Sequence, residues 1–220
     1  MRLDLFRVAA SVALILTLSV SLSAADLAGR VMFLEGDVTV NGKAVDTGDR
    51  LAGASLIRTG KASEIEVVFA DQNVFRLGPS SVLKVDFQNE RKTVVLDKGL
   101  FTAVLRKLAK VAGDPSFVLK TPTVVAGVRG TSFHVTTDGN NTYFCTCNGS
   151  VALTPDGSNQ LLDLTNAHHG SRIFTREANG SISVVPGGLQ DHTDATVESL
   201  AKLIGATLDW SKPDLSSHTP

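Results

Sequence analysis

Cysteine is nearly missing from this chain: there are two among 220 residues, Cys145 and Cys147. A small domain stapled by disulfides is thereby excluded, and the fold must rest on a packed core, for which this length suffices. Aromatic residues are scarce, with one Trp and one Tyr, but ten Phe and abundant Val, Ile and Leu exclude disorder along the whole chain. Neither sign of charge dominates: 21 basic residues face 22 acidic ones, for a net charge of −1. A nucleic-acid partner would call for a basic stripe, and none is present. No run of like charges marks an acidic tail or a membrane-binding patch. Nucleophile elbow, P-loop and dinucleotide fingerprint are all missing. Glu64 and Glu66 share one side of a strand pattern and read as a solubilising solvent face rather than as a catalytic acid pair. The chain is therefore expected not to be an enzyme.

The long apolar run that the rest of the chain lacks lies at its start. Arg2 and Arg7 form a short basic region, Val8 to Leu22 is apolar but for small hydroxyl residues, and Ser23, Ala24 and Ala25 precede Asp26. That order is the n-region, h-region and cleavage site of a secretory signal peptide over residues 1–25. An uncleaved anchor is the competing reading, for which the run is short. No Cys lies near the cleavage point, so a lipoprotein anchor has no support. The expected location is outside the cytoplasm, periplasmic or secreted, with no membrane span after cleavage.

From Ala28 to about Val185 the pattern is of short strands. Ile65, Val67 and Phe69 alternate with polar residues, as do Leu83, Val85 and Phe87, and Phe133 and Val135. Turn signals recur at Asn41-Gly42, Gly48-Asp49, Thr59-Gly60, Gly78-Pro79, Asn148-Gly149 and Asp156-Gly157. Asn41-Gly42 is the strongest hairpin signal, because both residues tolerate positive φ. Leu105 to Ala112 fits either a short helix or a basic strand. Thr193 to Ile204 places Val197, Leu200, Ala201 and Ile204 on one helical face, with Thr193 able to cap the start and Gly205 the end. The expected architecture is all-β, a stacked β-roll or solenoid-like sandwich of short strands over 28–190. One C-terminal amphipathic helix within 191–210 packs on it, and a polar tail follows over 211–220.

Two blocks carry a family likeness. One runs from Gly36 to Val85 and includes I-R-T-G-K-A-S-E-I-E-V-V-F-A-D and F-R-L-G-P-S-S-V-L-K-V. The other is T-P-T-V-V-A-G-V-R-G-T-S-F-H-V, Thr121 to Val135. Together they resemble the FecR domain, an extracytoplasmic β module of bacterial regulators, over roughly 28–155. The resemblance implies a binding or sensing module that meets a protein partner or small ligand in the cell envelope. The family's transducers also carry a cytoplasmic anti-sigma segment and a transmembrane helix. This sequence has neither, so the sigma-regulating role does not carry over. Arg129, between Gly127 and Gly130, reads as a structural residue holding carbonyls or a carboxylate such as Asp71.

The most chemical feature lies just beyond. Cys145 and Cys147 share one face of a strand about 7 Å apart, too far for an easy disulfide. Three readings stay open: inert core packing, a strained or reversible disulfide, and a pair of metal ligands. His168, His169 and His192 lie downstream and can converge on the thiols. Two thiolates with two imidazoles suit Zn, and are soft enough for Cu(I) or a haem-type iron. Adjacent histidines on a strand point to opposite faces, so at most one of His168 and His169 is expected to face the thiols. A Cys–His nucleophile pair is conceivable but lacks a visible third member. His134 alternates with Phe133 and is expected at the surface.

Overall fold

The computed structural model describes residues 28–70, 72–89, 91–106 and 117–211. The signal peptide (1–25), Asp71, most of the basic stretch after Leu105, and the tail from 212 lie outside the described residues.

Short strands dominate, as the turn spacing implies. The first group is β1 (Gly29–Glu35), β2 (Val38–Val40), β3 (Lys43–Ala44), β4 (Arg50–Leu51) and β5 (Ala54–Thr59). The hairpin between β2 and β3 turns on Asn41 and Gly42, both at positive φ (52° and 77°). Next come β6 (Glu64–Phe69), β7 (Asn73–Leu77), β8 (Val82–Asp86) and the long β9 (Lys92–Leu105). Then follow β10 (Phe117–Lys120), β11 (Val124–Val128), β12 (Ser132–Thr137), β13 (Asn141–Pro155), β14 (Leu162–Arg176) and β15 (Ile182–Gly187). The helix α1 spans Asp194–Leu203.

Pairing is antiparallel throughout, except between β9 and β10. β9 and β13 change partners midway and thereby join two stacked leaves. The first half of β9 pairs with β8 and β10, the second half with β7 and β12. The switch falls at Gly99, whose φ is +103° and where a Cβ would strike Ser81. In β13, Thr142 to Asn148 pairs with β12, and Val151 to Pro155 with β11. Here the sequence reading needs correction: Asn148-Gly149 is not a turn. Gly149, at φ +120°, forms a bulge that lets a fifteen-residue strand bend and continue.

Phenylalanines fill the space between the leaves. Phe69 meets Phe87 and Phe117 across it, at centroid separations of 6.2 and 6.3 Å. Phe133 lies between Phe101 and Phe144, stacked on the latter at 5.5 Å. All are buried.

The other face of the β7–β9–β12–β13 leaf is covered as well. Val197, Leu200 and Ala201 of α1 pack on Val74, Val104, Tyr143, Cys145 and Cys147. The helix begins and ends where the sequence places it: the Thr193 hydroxyl accepts the Thr196 N–H, and Gly205 follows the C-cap Ile204 at φ +58°. Burying Val197 and Leu200 contributes about 1.5–3 kcal/mol each, and ten residues do not sustain a helix in water alone. The helix therefore depends on the sheet at this face. Glu66 lies beneath this covering, buried and bonded to Arg76 Nε at 2.9 Å, and Arg76 reaches Ser199 on α1. The expectation of a solvent-facing Glu66 fails because strand alternation shows that two residues share a face, not whether that face is wet.

Phe133→Ala removes the ring at the centre of the aromatic stack. It is expected to cost about 3–5 kcal/mol, read as a fall in the denaturation midpoint at unchanged slope.

Candidate metal centre

Strand β13 is the foundation of the site. Its residues alternate between the two covered faces: Thr142, Phe144 and Thr146 face the inter-leaf core, while Tyr143, Cys145 and Cys147 face α1. Cross-strand neighbours extend the row, since His134 of β12 and Ser171 of β14 stand opposite Cys145. Cys147 would stand opposite His169, between the pairs Thr146–Gly170 and Asn148–His168.

His169 is not in strand conformation. Its φ of +52° is left-handed, which a residue other than glycine adopts at a cost of about 1–2 kcal/mol. The local break in alternation lets His168 and His169 both reach one carboxylate. Their Nε2 atoms lie 3.1 and 2.6 Å from Asp194 Oδ1. His169 is the one that faces the thiols: its Nδ1 is 3.5 Å from Cys145 Sγ.

The second imidazole arrives from the loop before α1. His192 Nδ1–H donates to the Gln190 carbonyl at 2.6 Å, which leaves the Nε2 lone pair pointing inward. Nε2 lies 3.3 Å from Cys147 Sγ and 3.2 Å from His169 Nδ1. The loop is pinned by Tyr143, whose hydroxyl donates to the Gly188 carbonyl and accepts the Gln190 N–H. One ligand atom from each of Cys145, Cys147, His169 and His192 lies within 4.8 Å of the other three, and all four residues are buried. Of the five residues singled out from sequence, four converge. His168 joins through Asp194.

Proton placement follows from these contacts. Burial alone would push the Cys145 thiol up, but hydrogen bonds from Cys147, His169 and His192 outweigh it and hold it well below the ordinary thiol range. Burial and the neighbouring Cys145 push Cys147 well above that range. For His169, burial acts downward, yet the bonds to Cys145 and Asp194 prevail and raise it. For Asp194, burial acts upward but is overcome by its two histidines, so it stays a carboxylate. The cluster thus favours one thiolate beside a charged imidazole, even without a bound ion.

Three further residues belong to the site. His134, expected at the surface, is fully buried: its ring stacks on His192 at 4.2 Å, and its Nδ1 meets the Thr102 hydroxyl at 2.8 Å. The alternation was right, but the face it points to is roofed by the segment before α1. Asp194 gave no signal beyond that of an acidic residue in a first helical turn, which the helix dipole already explains. Trp210, the one tryptophan, lies 4.8 Å from the His168 ring and donates to Glu198.

A Cys145–His169–Asp194 chain also has the layout of an activated nucleophile. Access argues against that use. Cys145 is fully buried, and Cys147 and His192 crowd the side on which a substrate would approach.

Burial holds the His134 pKa well below its ordinary 6.5, and the neighbouring His192 and His169 lower it further. Unfolding restores the ordinary value, so below it the unfolded chain binds more protons than the folded one. Stability should fall as the pH drops through that value. His169 works in the opposite sense, so the part due to His134 is read by difference. Between pH 7 and pH 5, the denaturation midpoint should fall further in the wild type than in His134→Gln.

The family model described as FecR protein matches residues 55–152. No curated protein matches the chain. Two crystal structures of a "putative anti-sigma factor" from Parabacteroides distasonis are similar to it, at 19% identity and TM-scores of 0.47 and 0.46. The likeness covers 60% of this chain and 60% and 59% of theirs, so the chain spans about three fifths of those proteins. Cys145 and Cys147 lie inside the family match, and His169, His192 and Asp194 beyond it. The family match over residues 55–152 falls on the two sequence blocks that resemble the FecR domain.

Proposed function

We propose that this protein is an exported, non-catalytic sensing module whose ligand is a single thiophilic metal ion, Zn²⁺ by geometry. Cys145, Cys147, His169 and His192 hold it. One observation carries the reading: four donor atoms lie within 4.8 Å of one another, and three of their separations are close to the edges of a tetrahedral site. Bond lengths of about 2.3 Å to sulfur and 2.05 Å to nitrogen imply edges of about 3.6 Å between sulfur and nitrogen and 3.4 Å between nitrogens. The S–N edges are 3.5 and 3.3 Å, and the N–N edge is 3.2 Å.

The surroundings support the same reading. The outward nitrogen of His169 is held by a carboxylate and that of His192 by a carbonyl, the outer contacts that fix ligating imidazoles. The inward nitrogens of both rings thereby face one point, 3.2 Å apart, where a cation would replace the protons that the metal-free cluster holds. Four protein donors complete the coordination and leave no position for a substrate, which favours a structural or sensing site over a catalytic one. Donors this close enclose a bare ion rather than a porphyrin, so the haem alternative loses ground to Zn²⁺ or Cu(I). A metal would also keep the two thiols from oxidation outside the cytoplasm. FecR domains are typically extracytoplasmic, and no helix among the described residues is long and apolar enough to cross a membrane. The proposal includes cleavage after Ala25, with Asp26 as the N-terminus of the processed protein.

Elemental analysis of protein purified from the cell envelope should find one zinc per chain. Co²⁺ in its place should give the intense visible bands of a tetrahedral thiolate site. Cys145→Ser, Cys147→Ser, His169→Ala and His192→Ala should each weaken binding at least about a hundredfold. His168→Ala, acting only through Asp194, should cost about tenfold or less. Failure of the folded protein to take up either Zn²⁺ or Cu(I) stoichiometrically would overturn the reading. So would uptake that survives replacement of both cysteines.

A metal-free sample with an intact fold that forms a Cys145–Cys147 disulfide reversibly would favour the thiol-switch alternative instead. Binding should also weaken on acidification, because each bound ion displaces protons from the thiols and imidazoles. The check is isothermal titration at pH 7.5 and pH 6.

A further inference from the structure

We infer that the ion latches the C-terminal segment 188–210 onto the sheet, and that its loss frees this segment while the β domain stays folded. The inference rests on the metal reading above and assigns its output. Three donors belong to the sheet: Cys145 and Cys147 on β13, and His169 on β14. The fourth, His192, belongs to the segment. Asp194, the partner of His169, adds a second link from the first turn of α1. Closing the coordination sphere therefore ties the segment to the sheet at one point.

Two properties make that tie decisive. First, the main core draws nothing from the segment. The aromatic cluster between the leaves is built entirely from residues before Gly188. Releasing the segment leaves that core intact. Second, the segment's remaining hold is local. Three α1 side chains are buried against the sheet, Ile204, Ala206, Leu208 and Trp210 are partly buried beside them, and Tyr143 holds the Gly188–Gln190 loop. The helix is too short to persist once undocked. Other bonds lie at the margins: Arg76 to Ser199 at 3.3 Å, Arg106 to the Ile204 and Gly205 carbonyls at 3.1 and 2.7 Å, and Asn148 to the Asp209 carbonyl. Such a segment belongs to the part of a fold that opens locally. Its release uncovers Val74, Val104, Tyr143 and both cysteines, so metal status becomes a change in the surface of the domain.

Hydrogen exchange on the whole purified protein tests this, with Zn²⁺ bound and after its removal by a chelator. Amides of Asp194–Leu203 should exchange at least about tenfold faster without metal. Those of β6, β7 and the second half of β9 should not change. Trp210 should report the same transition, with its emission shifting toward that of exposed indole when zinc leaves. Stoichiometric zinc with unchanged exchange in α1 would overturn the latch while leaving the metal site standing. Loss of protection across the β strands as well would also overturn it, making the ion a support for the whole domain. Absence of both Zn²⁺ and Cu(I) binding would remove the site and the latch together.

Discussion

The structure depends on a strand that must be buried on both faces. Six consecutive residues of β13, Thr142 to Cys147, are out of contact with water. A strand of an open antiparallel sheet satisfies one core and leaves its other face wet. Here the even positions feed the phenylalanine stack through Phe144, and the odd positions need a second cover. The chain supplies it with the loop from Gly188, α1 and Trp210. Cys145 and Cys147 are small enough to let that cover approach closely. Their place inside the protein is thus fixed by packing before any chemistry is asked of them.

His169 is where this packing is set against local preference. A left-handed histidine within a strand is unfavourable, and a neutral imidazole there would gain little. The bond to Asp194 offsets the cost, and the carboxylate is held in turn by the N-terminal turn of α1, where the helix dipole favours a negative charge. Thr193, by capping α1, sets the direction from which Asp194 approaches. Strand bulge, carboxylate and helix cap form one unit. A change at any of the three would move the His169 ring relative to the thiols.

What the sequence made legible follows the same division. Period-two alternation found the core faces of β6, β8 and β12. Period-3.6 spacing and capping residues placed α1 to within a residue of its observed ends, because both signals are local. The convergence of His169 and His192 on the thiols could be anticipated only as a possibility, since it depends on pairing across 45 residues. His134 and Glu66 were misplaced for one shared reason: alternation assigns residues to faces, and tertiary structure decides which faces are covered. Asn148-Gly149 was misread because glycine at positive φ serves a bulge as well as a turn, and the dipeptide alone does not distinguish them. Asp194 was invisible because its role duplicates one that any acidic residue has at a helix start.

The boundary of the family match separates scaffold from chemistry. The matched stretch contains Cys145 and Cys147, yet cysteines on a buried strand are inert by themselves. Both inward-facing imidazoles, and the carboxylate that orients one of them, come from the chain beyond residue 152. The family likeness therefore bears on the platform, and the proposed ligand set draws on residues beyond it, as expected where function is grafted onto a common scaffold. The same separation bears on catalysis. Cys145, His169 and Asp194 alone would make an activated thiol, but Cys147 and His192 turn that line of three into an enclosure of four. A nucleophile needs an open side, whereas a metal site of this type needs none, and the second Cys–His pair closes the side a substrate would need.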